Sequence, residues 1–110
     1  MTDIVLVNSA SNAAANSVES FYTSPTSSDG TLITAFSAIN NSGVNASYSA
    51  YLYDSSGGLI NAVIPSKIVV RNRFDIGPSI TNQLIEPGGS LRMESSAIGA
   101  ITFRVSGVVL

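Results

Sequence analysis

Asn45-Ala46-Ser47-Tyr48-Ser49-Ala50-Tyr51-Leu52-Tyr53-Asp54 alternates without a break. Ala46, Tyr48, Ala50 and Leu52 fall on one side of an extended chain, and Ser47, Ser49, Tyr51 and Tyr53 on the other. That period of two is the mark of a strand with one buried face. Asp54-Ser55-Ser56-Gly57-Gly58 ends it with residues that favour tight turns. Upstream, Thr31 to Asn40 alternates Leu32, Thr34, Phe36 and Ala38 with Ile33, Ala35, Ser37 and Ile39, apolar enough on both faces for a central strand. Asn40-Asn41-Ser42-Gly43 reads as the turn between the two strands.

Downstream, Ile60 to Ile64 and Ile68 to Phe74 are β-rich runs separated by Pro65, which cannot donate to a central ladder. Gly77-Pro78 breaks the chain again, and Ile80 to Ile85 fits either a strand or a helical turn. Glu86-Pro87-Gly88-Gly89 matches a type II turn, with Pro second and Gly third. Leu91, Met93 and Ser95 alternate with Arg92 and Glu94. Ile101, Phe103, Val105 and Gly107 alternate with Thr102, Arg104 and Ser106 in the last strand. Short strands at about ten-residue spacing predict an all-β fold, an antiparallel β-sandwich of immunoglobulin-like or jelly-roll-like type with about seven or eight strands. Phe36, Ile39, Leu52, Val70, Leu84, Leu91, Phe103 and Val105 are expected in or near the core.

Residues 1–16 differ from the rest. Asn8-Ser9-Ala10-Ser11-Asn12-Ala13-Ala14-Ala15-Asn16 holds no large apolar anchor. The segment reads as an extended N-terminal arm with a short strand at Ile4 to Val7, ahead of a single sandwich domain at 17–110; a first core strand followed by a loop fits equally. At 110 residues there is room for one domain only.

Composition narrows the chemistry. Charged residues make up 11% of the chain, against roughly 25% in ordinary soluble domains. Nineteen Ser, seven Thr and nine Asn supply the polar surface instead. The chain has no Cys and no His. Disulfides, thiol nucleophiles, thiolate metal sites and imidazole bases are therefore excluded, and with them the usual hydrolase triads. No carboxylate pair sits in a recognisable catalytic motif, so the expectation is a non-enzyme with no catalytic, cofactor-binding or metal residues. No signal peptide and no apolar run long enough to span a bilayer is present, so a membrane is not an expected partner.

The first 66 residues carry Asp3, Glu19, Asp29 and Asp54 and no base, whereas Lys67, Arg71, Arg73, Arg92 and Arg104 all follow. Arg71 and Arg73 are candidate partner contacts, but five bases are too few for a nucleic-acid face. Tyr51 and Tyr53 share the outer side of their strand, where they fit either protein packing or a stacking platform for a glycan. Val108-Val109-Leu110 ends the chain in three apolar residues, so Val108 and Leu110 are candidate subunit contacts. Asn40 and Asn45 both head glycosylation-type triplets, about the number that chance supplies.

Three segments carry a resemblance: Tyr51-Leu52-Tyr53-Asp54-Ser55-Ser56-Gly57-Gly58, then Asn82-Gln83-Leu84-Ile85-Glu86-Pro87-Gly88-Gly89-Ser90-Leu91, and the ending Ala97 to Gly107. Over about residues 18–110 the chain resembles the small β-sandwich structural proteins of tailed bacteriophages. It departs from them in the charged stretch Arg71 to Asp75. The resemblance implies a virion protein assembled in the host cytoplasm, most simply a capsid decoration or cementing protein, with a neck or tail component as the alternative. The implied partners are other copies of itself, in a trimer or higher assembly, and the major capsid or neck and tail proteins. The alternative of a different kind is a carbohydrate-binding module that uses Tyr51 and Tyr53.

Overall fold

The computed structural model describes residues 2–77 and 79–110, and among them there is no helix. Nine strands follow one another: β1 (Ile4–Ser11), β2 (Glu19–Thr23), β3 (Thr31–Asn40), β4 (Ala46–Tyr53), β5 (Leu59–Val69), β6 (Arg73–Asp75), β7 (Leu84–Ile85), β8 (Ser90–Ser95) and β9 (Ile101–Val109). One sheet runs β1-β9-β3-β6, with β7 also paired to β3, and the other runs β2-β8-β4-β5. Every pairing is antiparallel.

This order is that of a jelly roll. The first half of the chain, β1 to β4, pairs strand by strand with the second half: β1 with β9, β2 with β8, β3 with β6, and β4 with β5. The doubled ribbon is then rolled, so that successive strands cross from one sheet to the other except at the β4–β5 hairpin and between β6 and β7. The sandwich and its antiparallel sheets match the sequence expectation, and the strand order selects the jelly roll over the immunoglobulin-like alternative.

The core lies between the sheets. Four rings meet there: Phe36 and Phe103 from the first sheet, Tyr48 and Phe21 from the second. Phe103 is the hub, with centroids 5.3 Å from Phe21, 5.6 Å from Tyr48 and 6.1 Å from Phe36. The alternation read from β4 holds, with Ala46, Tyr48, Ala50 and Leu52 all buried. Phe36, Leu91 and Val105 are also buried as expected.

Three expected core residues are corrected. Ile39 is only half-buried, because it pairs with Phe74 on the outer side of the first sheet. Val70 is exposed, because Val69, one place earlier, takes the inward position at the end of β5. Leu84 is exposed, because Ile85 is the inward member of the two-residue β7. A bulge between Ile33 and Ala35 explains why β3 resisted a simple reading: burial falls on Thr31 and Ile33 before it, then on Phe36, Ala38 and Asn40 after it.

The N-terminal segment takes the second of its two readings, a first strand followed by a loop, in place of the extended arm. Residues 4–11 form β1, paired to β9 from Ile4↔Gly107 to Ser11↔Thr102, with Val7 in the core. Pro65 does not divide β5, because β5 is an edge strand. The pairing skips from Lys67 to Ile64 across a bulge that leaves Pro65 and Ser66 unpaired, the position where a sheet tolerates proline. Glu86-Pro87-Gly88-Gly89 is the predicted turn: the Gly89 N–H donates to the Glu86 carbonyl at 2.8 Å, and Gly88 takes φ 76°, where type II geometry needs glycine.

Candidate interaction surfaces

The outer side of the second sheet carries the two candidate tyrosines beside two charged residues of β8. Tyr51 is paired with Arg92 and Ser49 with Glu94, so all four project outward. The Tyr51 hydroxyl donates to Glu94 Oε1 at 2.6 Å, and this bond to a carboxylate raises the phenol above its ordinary value. The Arg92 guanidinium lies 4.1 Å over the Tyr53 ring, a cation–π contact, and its Nε donates to Ser90. The Tyr51 and Tyr53 rings meet edge to face at 75°. The sheet brings the two tyrosines together as the alternation predicted, but Tyr53 is half-buried and Arg92 covers one face of its ring.

Two shallow depressions, each of about 210 Å³, lie beside them and share Ser47 and Ser96. Both are smaller than the roughly 300–1,000 Å³ of usual small-molecule sites. Several of their polar groups already have partners: the Ser49 hydroxyl donates to the Pro65 carbonyl, and Ser96 Oγ accepts the Ser47 N–H. Glu94, on their rim, accepts from Tyr51. Among the described residues no group of three or more metal-ligating side chains forms.

Arg71 stands in the turn from β5 to β6 and Arg73 opens β6, both exposed. Asn45 Oδ1 accepts the Arg71 N–H, which ties the turn to the start of β4. Among the described residues neither guanidinium has a hydrogen bond or ion-pair partner. Val108 is half-buried and paired with Leu32, and the Leu110 backbone bonds to Asp29 and Gly30. The apolar chain end is thus sewn into the first sheet, so Val108 and Leu110 do not form a free tail. Asn40 is buried, which places the first glycosylation-type triplet out of reach in the folded chain.

Sequence reasoning missed the charged cluster that locks the β5–β6 flank. The Tyr48 hydroxyl donates to Asp75 Oδ2, and Lys67 Nζ lies 2.6 Å from Asp75 Oδ1. Burial acts to raise the Asp75 carboxyl. Hydrogen bonds from Lys67 and Tyr48, the lysine charge and the Gly77 N–H outweigh it and hold the group below the ordinary carboxylate range. Burial, reinforced by the Asp75 carboxylate, pushes the Tyr48 phenol well above its usual value. The signal was present in β4: an inward-facing tyrosine needs a partner for its hydroxyl.

Large apolar side chains complete the surface. Ile68 and Phe74 are each 68% exposed, and Leu59, Ile60, Val70, Ile76 and Leu84 are exposed with them. The molecule is thus a jelly roll with small depressions, and along its β5–β7 edge large apolar side chains stand exposed on the outer faces of both sheets. The chain matches no protein-family model, no curated protein and no solved structure.

Proposed function

We propose that the protein is a non-enzymatic structural component of a tailed-bacteriophage virion, acting as a decoration or cementing protein on the head. The observation that carries this reading is the display of large apolar side chains between Leu59 and Leu84, on the outer faces of both sheets of the sandwich. Patches of that kind mark surfaces that another protein covers. A surface built from Ser, Thr and Asn supports the same reading, because neutral hydroxyls and amides are cheaper to desolvate than Lys or Glu. The jelly roll is also the architecture of many virus capsid domains, an analogy of fold that supports the reading without carrying it.

The glycan-binding alternative draws support from the same fold, which lectins share. The geometry of the tyrosines weighs against it. A stacking platform needs a bare ring face, whereas Arg92 covers Tyr53 and Tyr51 is held by Glu94.

The test is to mix the purified chain with assembled capsids that lack it. A cementing protein binds at fixed stoichiometry and raises their resistance to heat. Copies found only at the neck or tail would overturn the head assignment and keep the structural class. Binding on a glycan array, lost on Tyr53→Ala, would replace the proposal with the lectin reading.

A further inference from the structure

We infer that the two depressions on the outer side of the second sheet form one binding site for a neutral saccharide. The inference is independent of the virion reading, and it makes no use of ring stacking on Tyr51 or Tyr53. The depressions meet at Ser47 and Ser96, so they make a single hollow over the first half of β4.

Three local features build the hollow. Ser47 and Ser49 are outward members of β4, and their small side chains leave the floor low. On the β5 side, the bulge takes Pro65 and Ser66 out of the ladder and into the lining. The Ser49 hydroxyl fixes that wall by donating to the Pro65 carbonyl at 2.7 Å. On the β8 side, Asn16 joins the lining from the segment between β1 and β2. Its N–H donates to the Ser95 carbonyl at 2.8 Å, and its φ of 54° turns the chain there.

The lining decides the ligand. Among the described residues, the Asn16 side-chain amide, the Ser47 and Ser66 hydroxyls and Oε2 of Glu94 make no hydrogen bond within the protein, and all four residues line the same polar depression. Together they offer both donors and acceptors. The adjoining depression adds Ala46 and the exposed side chain of Ile68, with Asn45 beside them. A saccharide fits that combination, because its ring carries hydroxyls around the rim and C–H bonds on its faces. Charge narrows the class further. Among the described residues, Glu94 is the one charged side chain lining either depression. A phosphorylated, sulfated or sialylated ligand would meet that carboxylate with no cation to offset it. A bare cation would find only Glu94, whose Oε1 already accepts from Tyr51. Contacts this shallow bind weakly, so the affinity belongs in the roughly millimolar range.

The test is a nitrogen–proton correlation spectrum of the full chain, titrated separately with maltose, cellobiose, lactose and chitobiose at millimolar concentrations. At least one sugar should shift the amides of Asn16, Ser47, Ser66, Glu94 and Ser96 saturably, while the Asp54–Gly58 turn stays still. Asn16→Gly keeps the left-handed backbone and removes the amide side chain, and Ser66→Val alters an exposed position. Each should weaken binding about tenfold with an unchanged melting temperature. If either melts early, Glu94→Gln, which keeps an acceptor for Tyr51, takes its place. Tyr53→Ala should leave binding intact, which separates this hollow from the tyrosine pair. No saturable shift with any of the four sugars, shifts centred elsewhere, or binding indifferent to the lining variants would overturn the inference. Tighter binding of sialyllactose than of lactose, or of trilysine than of any sugar at the same amides, would overturn the neutral class.

Discussion

Asn40 has no exposed surface, yet every hydrogen-bonding atom of its amide is used. Its Nδ2 donates to the carbonyls of Val44 and Val69, and its Oδ1 accepts from the Ser42 N–H and hydroxyl. One side chain from β3 thus holds both the following turn and the end of β5 in the opposite sheet. Asn40→Ala strands the buried Val69 carbonyl and releases the turn, so chemical denaturation should show a loss of about 1–3 kcal/mol. A loss under about 0.5 kcal/mol would mean that water replaces the amide without cost. Asp75 sets the pH response. Its folded-state carboxyl titrates below the ordinary value, so its contribution is complete above about pH 4 and disappears as pH falls through the lowered value. Tyr48 acts at the other extreme, because its raised phenol makes stability fall once pH rises past about 10, where the unfolded phenol ionises. Tyr48→Phe removes a bond to a charged acceptor and should cost about 1.5–3 kcal/mol at neutral pH. It should also flatten the alkaline limb of a stability–pH curve measured by urea melts.

Among the elements, β1 has the most to lose. It covers the edge of β9, contributes Val7 to the core and leads to Asn12, whose Nδ2 donates to the Met93 and Ser17 carbonyls. Deleting residues 2–11 should therefore cost several kcal/mol, a large share of a small domain's roughly 5–15 kcal/mol, and lower the urea midpoint sharply. A truncated chain with an unchanged midpoint would restore the reading of this segment as a detachable arm. That reading arose because Asn8 to Asn16 lacks large side chains, and a strand whose central residue Val7 is its one buried apolar anchor leaves little periodic trace. By contrast, β4 and β9 were legible, since each runs straight with a clean two-residue alternation. β3 was legible as a strand but not in its faces, because its bulge reverses the phase midway. The tyrosine pair could be read because its members share one strand. The Lys67–Asp75–Tyr48 lock could not, since it joins three strands that meet only after the ribbon is rolled. Gly107 shows the same limit: a Cβ there would sit 2.4 Å from the Leu32 carbonyl oxygen, a backbone approach that no local pattern announces.

At the scale of the molecule, the rolled ribbon makes the fold depend on partners far apart in sequence. β1 meets β9 and β2 meets β8, so most pairing waits on closure of long loops, and refolding belongs in the millisecond-to-second range of all-β domains. The same pairing has a covalent corollary. Ile4 lies opposite Gly107, and Leu110 hydrogen-bonds at the same end of the sandwich, so residues 3 and 110 emerge side by side. A short Gly-Ser linker between them would close the backbone into a ring without moving a strand. Reopening that ring within Ser55–Gly57, an exposed turn, should give a circular permutant with the native far-UV spectrum. Joined ends would make the β1–β9 pairing local, while the opened turn would make the β4–β5 pairing the longest-range one, so the permutant should refold in the same time range as the linear chain by the reverse order of closures.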